Sequence, residues 1–255
     1  GLSLALAPNK ACYVPLAHVG GDLLSDTPVQ IPFDAAIAVL KPMLEDPAIL
    51  KIGHNIKYDI SMLARHGVQV APVDDTMVMS FNLDAGRHGH GMDELAATHL
   101  DHTCIAFKEV VGTGKAQKGF HEVGLEQATR YAAEDADVTL RLWRRLKPRL
   151  SPEQATRVYE MVDRPLVPVL SGMERAGIKV DRNTLSRLSS EFAGQIATLE
   201  GEIHGLAGTP FTIGSPKQLG DILFEQMGLK GGRKGKSGVY STDVNELERI
   251  AADKQ

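Results

Sequence analysis

Cysteine is nearly absent from this chain. Cys12 and Cys104 are the only two, and they stand too far apart for a disulfide framework or a metal motif to be read from their spacing. They read as reduced thiols of a cytosolic protein. An excess of positive charge is missing as well: 28 Lys and Arg face 32 Asp and Glu, a net charge of −4. The chain as a whole is therefore no basic nucleic-acid binder, and any phosphate contact has to come from a local patch. No apolar run is long enough to span a bilayer. The opening Gly1-Leu-Ser-Leu-Ala-Leu-Ala-Pro8 is apolar but lacks a basic lead-in, so it reads as a strand rather than a signal peptide. Acidic residues are missing from the opening segments: the first is Asp22. There is no internal repeat, and the only biased tract is the Gly/Lys stretch near 231–238.

What is present suits a folded protein. Hydrophobic residues make up 43% and charged residues 24%, enough to build a core. The 255 residues suggest one or two domains. The alternation of Leu2 to Leu6 and Ala11 to Ala17, split by Pro8-Asn9-Lys10, predicts a hairpin. Asp34 to Leu44 reads as a helix, Ile49 to Ile52 as a buried strand, and Asn55 to His66 as a helix stopped by Gly67. Ala85 to Gly91 reads as a polar loop, and Leu125 to Leu146 as the longest helix of the first half. Strands mixed with helices imply an α/β domain over residues 1–150.

From Ser151 the chain reads as mainly helical, so a boundary is expected near residue 150. Leu185, Leu188, Phe192, Ile196, Leu199, Ile203 and Leu206 form one apolar stripe at helical spacing. The helix from Asn183 to Leu206 would be roughly 35 Å long, and a two-helix coiled-coil arm fits its pattern. Val244 to Lys254 is a further helix-like stretch. The chain starts and stops inside such patterns, so it is expected to be an internal segment of a longer protein.

Two groups of carboxylates carry the chemical signal. Asn55 and Asp59 lie four apart, on one face if the segment is helical, just after a buried strand. Alone, Asp59 reads as an acid that stabilises a helix N-terminus. In the second group, Asp135 falls within the stripe Ala128, Ala132, Thr139, Leu142 and Leu146, and Tyr131 lies one turn earlier. A carboxylate on a core-facing stripe needs a partner: an Arg or a backbone cap on one reading, a metal ion on the other. Neither group supplies Cys or His at zinc-like spacing, and no His (His88, His90 and His121 included) shows ligand spacing. Carboxylates alone suit hard cations such as Mg²⁺ or Mn²⁺.

The pattern Asn55-x-x-Tyr58-Asp59, followed further along by Tyr131-x-x-x-Asp135, resembles the second and third motifs of the 3′→5′ exonucleases. Ribonuclease D and helicase-linked exonucleases share those motifs. Further segments are similar, in order and spacing, to family A DNA polymerases of the bacterial polymerase I type. They are Leu50-Lys-Ile-Gly53, Asp75-Thr-Met77, Ala85-Gly-Arg-His88, Pro165 to Leu170, Glu174-Arg-Ala-Gly177 and Ser215-Pro-Lys-Gln-Leu219. The resemblance implies a ribonuclease-H-like 3′→5′ exonuclease fold, truncated at its N-terminus, over 1–150. It implies the start of a family A polymerase domain, with thumb helices, over 151–255.

By the same resemblance Asp135 matches a metal-ligating aspartate, Asp59 the aspartate of a second metal, and Tyr131 the tyrosine that orients the attacking water. Asn55, Tyr58, Arg87 and Phe107 match positions that hold a frayed 3′ end. Two Mg²⁺ or Mn²⁺ ions, single-stranded and primer-template DNA as partners, a monomeric state and a cytoplasmic, nucleoid-associated location are implied with them. Lys230, Arg233, Lys234 and Lys236 bring positive charge without acid to a Gly-rich loop and suit thumb contacts to duplex phosphates. The basic run Arg141 to Arg149 suits the dipole of a helix C-terminus instead.

The chain departs from that family in two places. The first exonuclease motif, Asp-x-Glu, is absent and is expected just upstream of Gly1. Two residues are inserted within Arg87 to Met92. The palm and finger motifs are expected beyond Gln255, so residues 1–255 are not expected to polymerise DNA and are expected to be inactive alone. Loss of a central strand would leave backbone groups unpaired and the isolated piece poorly stable. The implied activity is proofreading by two-metal hydrolysis of the 3′-terminal phosphodiester. A non-catalytic scaffold and an RNA-processing exonuclease are the alternatives.

Overall fold

A computed structural model describes residues 1–19, 28–230, 232–235 and 238–252. The chain divides into two compact units, Gly1–Gly177 and Ile178–Gln255.

The first unit opens with the expected hairpin. Strand β1 (Leu2–Ala7) pairs antiparallel with β2 (Lys10–Val14), Leu4 opposite Cys12. Asn9 makes the turn at φ 61°, a left-handed conformation that Asn tolerates better than most residues. Helix α1 (Phe33–Glu45) leads to β3 (Lys51–Gly53), which pairs parallel with β4 (Val73–Asp75) across helix α2 (Lys57–Ala64). Gly53 is required there, because a Cβ at that position would stand 2.7 Å from the Ile56 side chain. Strand β4 runs directly into α3 (Thr76–Asp84); α4 (Met92–Leu100), α5 (Phe107–Val111) and α6 (Leu125–Leu146) follow. The polar stretch 85–91 joins α3 to α4, as its composition implies.

Helix α6 is the axis of this unit. It packs on β1, β2, β3, α3, α4 and α5. Val138, Leu142 and Leu146 of α6 close a core with Met79, Leu95 and Tyr159. Asp137 turns away from that core and accepts the Asn9 backbone N–H at 2.5 Å, tying the hairpin turn to α6.

Residues beyond 150 continue the first unit. Helix α7 (Thr156–Val158) runs through a π-helical turn, Tyr159–Asp163, into α8 (Arg164–Ala176). Tyr159 is fully buried, and Val167 of α8 shares a core with Ile56, Ile60 and Val73. The change of composition near residue 150 is therefore not where packing divides; that division falls at Gly177.

The second unit is helical: α9 (Arg182–Ala207), α10 (Pro216–Gly220) with a π-helical continuation Asp221–Gln226, and α11 (Val244–Ala252). Val244 to Ala252 matches the helix-like stretch read there, and residues 253–255 lie outside the described residues. Asp181 caps α9 by accepting the N–H groups of Asn183 and Thr184. Gly208 closes it at φ 69°. The apolar stripe of α9 does not enter a core. Phe192 is 56% exposed and Leu206 78%, so among the described residues the stripe lacks the coiled-coil partner its pattern suggested.

Candidate active site

The first half of the site is built around Asp75. This carboxylate is buried at the end of β4. Its oxygens accept backbone N–H groups of Asn55 and Ile56 at 3.1 and 2.8 Å. They also accept those of Met77 and Val78, at 2.8 and 3.3 Å. One side chain thereby caps α3 and holds the turn that launches α2. Asn55 itself lies outside the helix, at φ 56°. This corrects the expectation that Asn55 and Asp59 share a helical face: α2 begins at Lys57, and the turn, not the helix, presents Asn55.

Asp59 follows in the first turn of α2. It keeps an open side to solvent, yet desolvation by the surrounding chain, with some repulsion from Asp75, lifts its carboxyl to about 6. Tyr58 beside it is exposed.

The second half lies on α6. Tyr131 and Asp135 are one turn apart on α6, near enough for the phenol to favour the ionised carboxyl. Desolvation, followed by repulsion from Glu134 and Asp93, raises Asp135 to about 6 in spite of the phenol. The Tyr131 hydroxyl is held far above its ordinary value by burial and by Asp135, so it stays a donor. Phe107 lies over Tyr131 with ring centroids 5.7 Å apart and stacks on Phe120 at 6.2 Å. Half of Phe107 remains exposed.

The structure thus joins Tyr131, Asp135 and Phe107 in one place and Asn55, Tyr58 and Asp59 in another. Both halves are anchored on β3: α6 packs against it, and the Asn55 turn follows directly from it. Among the described residues no Lys or Arg is paired with Asp59 or Asp135. Two desolvated, cation-free carboxylates with oxygen-only donors fit a hard divalent ion.

Other sequence-predicted residues are placed differently. The Arg87 guanidinium bonds Asp84 at 2.9 Å and does not meet either half directly. Arg149 is not a dipole complement alone; it grips both oxygens of Asp84, at 2.9 and 3.1 Å. In the second unit, Lys234 reaches Glu225 at 3.5 Å and sits 4.2 Å over the Tyr240 ring. Arg233 approaches Glu246 at 3.9 Å, and Lys230 is exposed. The loop's cations therefore do meet acid, supplied from flanking segments. Lys236 lies outside the described residues.

Asp75 and Phe120 were missed as parts of the site, and Glu134 and Asp93 as neighbouring charges that act on Asp135. An Asp immediately before a helix is a readable capping signal; the other three are recruited by packing and leave no local signature.

Comparisons with known proteins place the chain in a family. A family model described as "3'-5' exonuclease" matches residues 1–151, and one described as "DNA polymerase family A" matches residues 182–255. The DNA polymerase I of Rhizobium leguminosarum is 52% identical over 265 residues, covering 99% of this chain and 26% of that protein. That of Pseudomonas aeruginosa is 42% identical over 255 residues, covering 98% of this chain and 28% of that protein. The chain spans about a quarter of the length of these curated relatives. A solved structure described as the POL domain of Pol1 from M. smegmatis, in complex with DNA primer-template and dNTP, is similar with a TM-score of 0.68. It is 27% identical, and the match covers 90% of this chain and 36% of that one.

Proposed function

This chain belongs to the 3′-5′ exonuclease family, with family A DNA polymerase sequence at residues 182–255, and on that premise we propose that it is the proofreading module of a DNA polymerase I. The fold is the ribonuclease-H-like α/β exonuclease fold followed by helical polymerase sequence. The observation that carries the proposal is the placing of Tyr131 one turn before Asp135 on α6, with the half-exposed Phe107 ring 5.7 Å from the Tyr131 ring.

Each residue has a chemical part. Phe107 offers a face on which a 3′-terminal base stacks, a contact every base can make. Asn55 and Tyr58 offer polar groups to the frayed strand at the opposite half. The protonated Tyr131 hydroxyl donates a hydrogen bond to the attacking water or to a phosphate oxygen. Asp135, with Asp59 toward a second ion, would hold Mg²⁺ or Mn²⁺, which when bound activates water and stabilises the leaving oxygen in phosphodiester hydrolysis. Nucleoside monophosphates leave one at a time, and the polymerase resumes from the trimmed end. Arg87, ion-paired to Asp84 but largely exposed, keeps donors free for the strand. Lys230, Arg233, Lys234 and Lys236 contact duplex phosphates without reading sequence. The primer-template in the M. smegmatis relative supports DNA as partner. The protein acts as a monomer in the cytoplasm, on the nucleoid; no helix among the described residues is long and apolar enough to cross a membrane.

The test is digestion of 5′-labelled single-stranded DNA by the polymerase containing this chain, with and without Mg²⁺. A Mg²⁺-dependent ladder from the 3′ end, lost in Asp59→Ala plus Asp135→Ala, is the expected result. No ladder from either protein, with polymerisation intact, identifies the module as a scaffold instead. A ladder on RNA but not on DNA identifies an RNA-processing enzyme.

A further inference from the structure

The turn between α4 and α5 carries a constellation that the exonuclease chemistry does not use. Asp101 ends α4 in the left-handed region, at φ 51°, and sends the chain back across α6. His102, Cys104 and Glu134 then meet, with the imidazole nitrogen, the sulfur and a carboxylate oxygen all within 4.8 Å of one another. His102 Nε2 lies 2.9 Å from Glu134 Oε1. The other oxygen of Glu134 accepts the Ile105 N–H at 2.7 Å, which orients the carboxylate as outer-sphere bonds orient metal ligands. All three side chains are half-buried rather than free on the surface.

We propose that His102, Cys104 and Glu134 form a zinc site, with the fourth position open to water or an outside ligand. Nitrogen, sulfur and carboxylate oxygen are the donor set zinc takes, at bond lengths of about 2.0–2.3 Å. A soft sulfur donor disfavours Mg²⁺ and separates this site from the oxygen-only carboxylates of the exonuclease centre. In the bond to Glu134 Oε1 the His102 Nε2 is the donor. On binding, that proton moves to Nδ1 by tautomerisation or, from an imidazolium, to solvent, which frees the Nε2 lone pair and the Glu134 oxygen for the ion. The Cys104 thiol proton passes to solvent.

The electrostatic setting favours a cation. Burial chiefly, then repulsion from Glu134, Asp93 and Asp135, pushes the Cys104 thiol up to about 11, with Arg141 the one opposing charge. The same three carboxylates attract a dication, whose own charge offsets the cost of the thiolate. A second cluster of this kind, Asp84, His88 and His99, has comparable spacing. There Arg149 and Arg87 already occupy the Asp84 oxygens and would repel a dication. Proximity of ligand atoms is thus shared by both clusters, and the charge around them separates the two.

The experiment is a Co²⁺ titration of the full chain followed by Zn²⁺ displacement. One equivalent of Co²⁺ is expected to raise a near-ultraviolet sulfur-to-cobalt band that Zn²⁺ removes and Mg²⁺ does not. Cys104→Ser abolishes the band; His102→Ala weakens Co²⁺ binding by at least ~10-fold, a loss of the size seen when metal sites are disturbed. Cys12→Ser retains the band, and so does Asp59→Ala plus Asp135→Ala, which keeps this test independent of the exonuclease reading. Circular dichroism verifies that each variant is folded, and His102→Gln replaces any that is not. No band from the folded chain, or a band that survives Cys104→Ser, overturns the proposal.

Discussion

The first unit holds two kinds of aspartate, which differ in their partners. Asp74, Asp75 and Asp84 are almost wholly buried, and each is saturated with donors. Asp74, at 0% exposure, accepts Trp143 Nε1 at 2.7 Å and the Tyr159 hydroxyl at 2.9 Å and ion-pairs with Lys147 at 3.1 Å. Asp75 takes four backbone N–H groups, and Asp84 takes Arg87 and Arg149. Asp59 and Asp135 are less buried, yet they carry the carboxyls lifted to about 6. Depth of burial therefore does not decide which carboxyl is raised; the lack of a compensating cation or set of donors does.

The sharpest way to break this comparison is to remove one member of each kind. Asp135→Ala in the intact polymerase should lower 3′→5′ digestion by ~10³-fold, within the range for loss of a group acting on the transition state, while primer extension continues at its normal rate. Its thermal midpoint should not fall. Asp74→Ala should do the reverse to stability. Leaving Lys147 with a lost partner and two buried donors unmet should cost about 3–5 kcal/mol, read as a lower urea midpoint. Comparable loss of stability from both variants would erase the distinction.

Asp75 tests the boundary between the classes, because it is structural in its bonds and functional in what it positions. Asp75→Ala should destabilise by about 2 kcal/mol through the lost cap and should also reduce exonuclease activity through the displaced Asn55 turn. Asp75→Asn, which keeps one acceptor oxygen, should restore part of both. Equal activity of the Ala variant and the parent would show that the turn needs no such anchor.

The smallest effect is on pH dependence, and the two classes should differ in sign. Arg149 holds Asp84 below the ordinary carboxylate range. Its contribution is complete above about pH 4 and is lost as pH falls through the depressed value. Asp135 is raised, so its relative contribution is present below about pH 4 and is lost as pH rises toward 6. In chelator, Asp135→Asn should therefore raise stability at pH 7 by about 1 kcal/mol, after allowance for solvent screening, with the gain gone at pH 4. Asp84→Asn should lower it at pH 7. Thermal melts across that range decide it; the same sign for both would remove the electrostatic basis of the contrast.

Much of the fold is local and was legible. Helix α6 begins at Leu125 and ends at Leu146, as its periodicity and Pro148 imply. The hairpin follows from alternation around Pro8-Asn9, and α9 from its stripe; its Asp181 cap and closing Gly208 emerged only in the structure. Strand β4 and helices α3 and α4 were not read. Val73–Asp75 is too short for alternation to show, and α3 is buried on several sides, so its residues carry no clear apolar period. The stripe of α9 was legible as a helix face but not as an exposed one, because periodicity reports which residues share a face and not what that face meets.

The sequence by itself determined the α/β character of the first unit, the bounds of its main helix and the kinship with 3′-5′ exonucleases and family A polymerases, and it offered Asp59, Tyr131 and Asp135 as candidates. Only the tertiary structure decided which carboxylates are partnered. It joined Asp74 to Trp143 and Tyr159, Asp84 to Arg149, and Glu134 to His102 and Cys104, pairs that no spacing reveals. It also carried residues 151–177 into the first unit. The physical reason is the reach of each cause: helix and turn signals act within a few residues, whereas the energy of a buried charge depends on whatever distant side chain the fold sets beside it.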